Sequence, residues 1–263
     1  MININEDMIQ DNGIYNYDAS YFLHALYEDY GNESIDMFLC DFPYTFKGKN
    51  RVTANRWDLP IDDKDFFEIA MKMLTPDGCI ALTASQPFTS YLVSNHLEHF
   101  KYEWIWEKDN GSNFTHVKHQ PFKVHESVLI FGKSPTTYNK AGKYMKYNPQ
   151  FTEGKPYKVK RSGMTENLAT SSGYERTDGE YDGKRYPRSV VKFNTEKGLH
   201  PTQKPTTLFE FLIKTYTDEG GRVVDVCCGS GTTAVAAKNT GRIYIVNDNE
   251  LKYVDTTERR ICQ

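Results

Sequence analysis

Residues 222–248 read RVVDVCCGSGTTAVAAKNTGRIYIVND, and this stretch alone places the chain in the α/β class. Arg222 to Val226 has the apolar run of a buried strand, Gly229 and Gly231 make a turn, and a helix follows from Thr232 to about Asn239. A second strand, Arg242 to Val246, ends at Asp248, which completes a βαβ unit. A helix start offers unpaired N–H groups, glycines let the backbone approach a ligand, and a carboxylate at the next strand end can grip both hydroxyls of a ribose. The spacing also fits the dinucleotide pattern G-x-G-x-x-A. These residues therefore mark a nucleoside cofactor without saying which, and a plain packing turn is the competing reading.

Working outward, the spacing predicts a helix over Thr206–Tyr216 just before this unit. At the other end of the chain a short strand (Gly13–Asp18) leads into a helix (Ala19–Tyr30). Ser34-Ile-Asp-Met-Phe-Leu-Cys-Asp41 then reads as a strand buried on both faces, as in a parallel sheet. A helix over Asp62–Leu74, a strand over Cys79–Ala84, a helix over Phe88–Leu97 and strands over Tyr102–Trp106 and Ser127–Phe131 continue the alternation. From Ser134 to about Lys197 periodicity is lost and Tyr, Lys, Gly, Ser and Thr dominate, so about 134–197 is expected to be an inserted polar region within one domain spanning 1–263.

With 263 residues and 38% hydrophobic content, a full-sized core is affordable. The net charge is only −3, but residues 101–214 hold 20 Lys+Arg against 12 Asp+Glu, while the flanks hold 12 against 23. The middle is basic and the ends acidic. The acidic start Met1-Ile-Asn-Ile-Asn-Glu-Asp lacks a signal-peptide pattern, and no apolar run nears the roughly 20 residues of a membrane span. Five cysteines without Cys-x-x-Cys spacing argue against disulfides or structural zinc, so a reduced cytoplasm is expected. His96-x-x-His99 and His116-x-x-His119, with His125, lack the zincin pattern, and no metal is expected.

Asp41-Phe-Pro-Tyr44 ends the buried strand. In isolation it is a strand-terminating turn. In a doubly wound sheet its strand and the glycine-turn strand are natural neighbours across the switch point, where ligands bind. An acceptor, a carbonyl held by the following Pro and an aromatic face then stand in a row.

On these residues the chain resembles the S-adenosylmethionine-dependent DNA methyltransferases that modify exocyclic amino groups, in the β-class order and especially the phage-type members. Asp41-Phe-Pro-Tyr44 is similar to the catalytic D-P-P-Y motif, and Asp225 with Cys228-Gly-Ser-Gly-Thr-Thr is similar to the cofactor motif. His200-Pro-Thr-Gln-Lys-Pro205 resembles the segment beside the methionine part of the cofactor, Asn16-Tyr-Asp18 the acidic site near the adenine ring, and Asp248 the ribose carboxylate. The motifs stand in order over nearly the whole chain. Phe42 replaces the usual Pro, Asp225-Val-Cys-Cys-Gly229 replaces D-P-F-x-G, and Asp248 replaces the commoner Glu.

The resemblance implies a Rossmann-like methyltransferase fold with a mostly parallel seven-stranded sheet and helices on both faces. It implies a site-specific enzyme that methylates a flipped base in double-stranded DNA. Asp41, Phe42, Pro43 and Tyr44 are the expected catalytic residues, and Asp18, Asp41, Thr202, Lys204, Asp225, Cys227, Gly229, Ser230, Gly231, Thr232 and Asp248 the expected cofactor residues. The basic middle would be the recognition region, with Lys155, Lys158, Lys160, Arg161, Arg185, Arg188 and Lys192 on DNA among Tyr157, Tyr174, Tyr181 and Tyr186. Residues 47–57 are either a lid or an ordinary loop. The Asp-first motif favours adenine N6 over cytosine N4. A non-catalytic DNA-binding protein that keeps the cofactor site, and a nicotinamide-dependent oxidoreductase, are the readings from other classes. A homodimer and a cognate restriction endonuclease are compatible partners.

Overall fold

The computed structural model describes residues 8–45, 60–137, 140–160, 178–196, 198–199 and 202–263. In chain order these form β1 (Gly13–Tyr15), α1 (Ala19–Tyr30), β2 (Ile35–Cys40), α2 (Asp63–Met73), β3 (Leu74–Ala84), α3 (Phe88–Asn95), β4 (Phe100–Glu107) and β5 (His125–Gly132). Short strands β6 (Thr152–Glu153), β7 (Tyr157–Val159), β8 (Gly179–Tyr181) and β9 (Lys184–Arg185) follow, then β10 (Val190–Lys192), α4 (Thr206–Tyr216), β11 (Arg222–Asp225), α5 (Thr232–Asn239), β12 (Ile243–Asn247) and α6 (Leu251–Ile261). The elements divide into two units, residues 1–148 with 189–263, and residues 149–188.

The first unit is built on a sheet of order β1-β12-β11-β2-β3-β5-β4-β10. All neighbours are parallel except β3–β5 and β4–β5, so β5 alone runs against the rest. As expected, β2 and β11 are direct parallel neighbours, with Met37 opposite Val223 and Phe38 opposite Val224. One layer of core, with Phe22, Leu26, Phe38, Phe66, Leu82 and Leu92, packs α1, α2 and α3 on one face. The other, with Met37, Ala81, Ile130, Leu212, Ala234 and Val246, packs α4 and α5 on the opposite face. Each fully buried Leu, Ile, Val, Met or Phe side chain among them stabilises by about 1.5–3 kcal/mol relative to exposure. Helix starts follow local chemistry: the Asp18 carboxylate accepts Ser20 and Tyr21 N–H bonds at the head of α1, and Asp62 does the same for α2 through Lys64 and Asp65.

Besides the four short strands of the second unit, two elements differ from expectation. The sheet has eight strands rather than seven, because Val190–Lys192, inside the aperiodic stretch, pairs parallel with β4. Three residues on a solvent-facing edge carry too little alternation to read as a strand. Helix α6 also went unpredicted: it presents only Tyr253, Val254 and Thr257 as buried residues among charged neighbours.

The second unit consists of two antiparallel pairs, β6–β9 and β7–β8. Tyr157 stacks on Tyr181 with centroids 4.7 Å apart, and the Arg185 guanidinium lies 4.3 Å from the Tyr157 ring. Among the described residues, no helix is long and apolar enough to cross a membrane.

Candidate active site

Parallel strands deliver their C-terminal residues to one edge of the sheet, so Asp41 after β2, Asp225 at the end of β11 and Asp248 after β12 converge there. The antiparallel β5 starts where the others end, and so its second residue, Glu126, reaches the same edge. These four acids line one cavity of about 580 Å³, within the size range of small-molecule sites.

Around Asp41 the polar groups are dense. Its Oδ1 accepts hydrogen bonds from the Thr83 hydroxyl and from Tyr44 Oη–H at 3.2 Å. Its Oδ2 accepts from Lys204 Nζ at 2.5 Å. Tyr44 Oη also lies 3.3 Å from Glu126 Oε2, Lys204 Nζ lies 3.6 Å from the same carboxylate, and Lys108 pairs with Glu126 Oε1. Two carboxylates and two ammonium groups thus balance in a mostly buried cluster. Burial alone would push Lys204 down, but the Asp41 and Glu126 carboxylates outweigh it and hold the ammonium above the ordinary lysine value. Glu126 mirrors this: burial opposes ionisation, yet Lys204 and Lys108 hold it below the usual carboxylate value. The Tyr44 ring stacks on Phe88 at 5.5 Å, and burial keeps its phenol protonated. Phe42 packs its ring edge-on against Phe66 at 4.8 Å, in the core rather than against a polar partner. Thr83, Lys108 and Glu126 were not singled out by sequence. Each is one polar residue at the end of an apolar strand, and only the reversal of β5 reveals that they meet.

The glycine turn sits beside this cluster. Cys227 Sγ–H contacts the Asp41 carbonyl at 3.6 Å, joining the two motifs directly. Asp225 accepts bonds from Cys227 N–H at 3.0 Å and Thr233 Oγ1–H at 2.5 Å. Burial pushes its carboxyl up to about 7, and no cation pairs with it among the described residues. Asp248 accepts from Gly229 N–H at 2.8 Å and Glu250 N–H at 2.9 Å, with its value raised by burial. Gly229 and Gly231 both have positive φ, 53° and 79°. A methyl at Gly231 would fall 2.4 Å from Thr257 of α6, so this glycine answers to helix packing as well as to the turn. Ser230 is buried, and its carbonyl accepts from Arg260 Nη1 at 2.6 Å. Thr232 Oγ1 donates to the Lys204 carbonyl at 3.4 Å. Asp18 and Thr202 line the same cavity. The thiols of Cys227 and Cys228 are pushed up by burial, as suits packing groups.

All the expected catalytic and cofactor residues except Gly231, which packs against Thr257, therefore line one cavity. Lys204 is the one whose charged end sits at the Asp41 side of it. The expected DNA residues are more dispersed. Lys155, Lys158, Lys160 and Arg188 are exposed on the second unit, where Lys158 pairs with Glu180. Arg185 is half-buried there, donating to the Lys155 carbonyl at 2.6 Å. Lys192 belongs to the first unit, 3.8 Å from Glu107. Arg161, Tyr174, His200, Pro201 and the 47–57 segment lie outside the described residues.

Residues 35–259 match the model of a DNA methylase family of N6/N4 methyltransferases. Among similar proteins is the Type II methyltransferase M2.DpnII of Streptococcus pneumoniae, 27% identical over 251 residues that cover 87% of this chain and 83% of that one. The Type II methyltransferase M.HinfI of Haemophilus influenzae is 28% identical over 254 residues, covering 88% and 64%. The fold is like that of the M1.HpyAVI–SAM complex (TM-score 0.60, 23% identity, 94% of this chain and 98% of that one). It is also like that of the cytosine-N4-specific PvuII DNA methyltransferase (TM-score 0.65, 16% identity, 96% and 87%). With its glycine turn and Asp41-to-Tyr44 segment in contact at one cavity, and a family match over most of its length, the chain belongs to the DNA methylase family.

Proposed function

We propose that this protein transfers a methyl group from S-adenosylmethionine to the N6 amino group of adenine in double-stranded DNA. The observation that carries the reading is the contact between Cys227 in the glycine turn and the Asp41 carbonyl, which puts a cofactor cradle and an amino-group acceptor at one point. The cavity's chemistry suits the cofactor: Asp18, Asp41, Asp225, Asp248 and Glu250 give it an acidic lining for a cationic ligand. Asp225, without a cation partner among the described residues, would answer an ammonium, and Asp248 would hold ribose hydroxyls.

Bound there, S-adenosylmethionine supplies an electrophilic methyl on a sulfonium. An exocyclic amino nitrogen is a poor nucleophile because its lone pair is delocalised into the ring. Accepting its N–H bonds at the Asp41 carboxylate and the Phe42 carbonyl holds the nitrogen pyramidal and stabilises the charge that develops there. Held by Asp225 and Asp248, the cofactor would supply the methyl and carry away the S–C bonding pair. The proton lost from nitrogen passes to Asp41 and then to solvent. Tyr44 offers its ring to a base swung out of the duplex. The Phe42 ring packs into the core against Phe66, so the role asked of this position falls to its backbone carbonyl.

The exposed lysines and aromatics of residues 149–188 and the flanking stretch are proposed as the recognition region inserted into a single catalytic domain. The substrate implies a cytoplasmic enzyme, and the Type II relatives suggest a cognate restriction endonuclease. Incubation with mixed-sequence duplex and labelled cofactor, followed by digestion to nucleosides, tests the reading. N6-methyldeoxyadenosine is expected. N4-methyldeoxycytidine would keep the mechanism and change the base, and neither would overturn both.

A further inference from the structure

Beyond Lys108 at its start, the loop joining β4 to β5, residues 108–124, has no role in the reading above. It is held rigid by its own hydrogen bonds. Lys108 N–H reaches the Val124 carbonyl at 2.7 Å, and Ser112 N–H the Lys123 carbonyl at 3.1 Å. Asn113 ties both sides, donating from Nδ2 to the Pro121 carbonyl at 2.9 Å and accepting Lys123 N–H at 2.7 Å. A rigid loop has no folding reason to show large apolar groups to water, yet Phe114 is 77% exposed and Val117 43%. Phe122, 46% exposed, is accounted for by packing over Gly111, where an added methyl would fall 2.4 Å from its ring. Phe114 and Val117 are left pointing outward.

Charge and position say what covers them. His116, Lys118 and His119, next to the two apolar residues in sequence, are exposed as well. Asp109, the only acid in the loop, is turned back to accept Thr195 N–H at 2.7 Å. At its base, Asn110, Gly111 and Ser112 line the catalytic cavity, and Lys108 pairs with Glu126. An apolar tip flanked by one lysine and two hydrogen-bonding imidazoles thus stands at the rim of the cavity that receives a base.

Extruding a base leaves a gap in the stack, and apolar wedges that enter such steps are a known way to stabilise distorted DNA. We propose that the 108–124 loop is a second DNA-contacting element, in which Phe114, backed by Val117, enters the duplex where the target base has left while His116, Lys118 and His119 face phosphates. This rests on the reading of the cavity as a base-methylating site.

The test uses the full chain and the exposed substitutions Phe114→Ala and Phe114→Trp. Fluorescence anisotropy with a labelled mixed-sequence duplex reads binding without catalysis. 2-Aminopurine, placed at the position that the wild type methylates, reads base extrusion. For Phe114→Ala, duplex binding is expected to weaken about tenfold and the rise in 2-aminopurine fluorescence to disappear, with cofactor affinity within about twofold and recovery in Phe114→Trp. Duplex affinity and fluorescence within about twofold of wild type in Phe114→Ala would overturn the proposal. So would a dimer in sedimentation that Phe114→Ala splits while duplex binding stays intact, since a second copy would then be the occupant. A wild type that methylates no nucleoside but binds duplex through Phe114 would sink the transfer reading and leave this one standing.

Discussion

Glu126→Gln removes one of the two carboxylates facing Lys204 and leaves the shape of the site almost unchanged. The Lys204 ammonium sits 3.6 Å from Glu126 and 2.5 Å from Asp41, with side chains of Lys204 and Glu126 only 7% and 13% exposed. At an effective dielectric near 20, unit charges about 4 Å apart attract by about 4 kcal/mol, equivalent to about three pKa units. Asp41 remains and water relaxes around the site, so Lys204 is expected to lose its proton at lower pH than in the wild type, by less than this pairwise figure. The sign follows from the cluster. In the wild type the ammonium lies above the ordinary lysine value, so its bond to Asp41 holds through neutral and mildly alkaline pH and is lost as pH rises through that raised value. In the variant the loss comes at lower pH. The other charged groups facing Lys204 are Asp41 and, through Glu126, Lys108; Tyr44 Oη shares both carboxylates. The assay is kcat against pH from about 6 to 10.5 at saturating cofactor and DNA, with cofactor affinity measured separately. The basic limb should move to lower pH in the variant, with kcat near neutral pH largely kept, while cofactor affinity holds. Breaking the buried Lys108 pair costs about 3–5 kcal/mol, so the double variant Lys108→Met/Glu126→Gln should recover stability but not the pH profile. A Glu126→Gln profile that overlays the wild type would refute the reasoning.

Three further outcomes follow from the same geometry. Asp225 is raised from 3.8 to about 7 in the folded chain, so the folded state binds the extra proton and its stability falls as pH rises from about 4 to about 7. Asp225→Asn should remove that fall, worth at most about 4 kcal/mol, and melt several degrees above the wild type at pH 8; an unchanged difference between pH 5 and pH 8 would count against a buried ionised Asp225. Gly231→Ala meets both a φ of 79° and a contact 2.4 Å from Thr257, and should cost about 2 kcal/mol or more in chemical denaturation, where a cost below about 0.5 would contradict the packing. Asp248→Ala should weaken cofactor binding at least tenfold in calorimetry with the fold intact, and equal affinity would remove Asp248 from the ribose site.

The sequence was most legible where one element was long and apolar. Ser34–Asp41 and Arg222–Val226 read as buried parallel strands, and they lie side by side. The glycine turn and Asp41-to-Tyr44 could be placed because a parallel sheet sends its chemistry to the strand ends. What stayed hidden depends on three-dimensional reversal. Glu126, Lys108 and Thr83 carry no local pattern, and their meeting at Asp41 depends on β5 running against the sheet. Lys204 sits next to a helix start in either account, but the sequence does not tell that its ammonium turns to Asp41 and Glu126. The eighth strand and α6 escaped notice because an edge strand of three residues and a mostly charged helix bury too few side chains to show a period.

The most direct test of the central claim compares wild type and Asp41→Ala in single-turnover methyl transfer from labelled S-adenosylmethionine to duplex DNA, with products digested to nucleosides. The wild type should yield N6-methyldeoxyadenosine, and Asp41→Ala should yield none even at saturating cofactor. Full turnover in Asp41→Ala, or no methylated nucleoside from a wild type that binds both cofactor and DNA, would contradict the account.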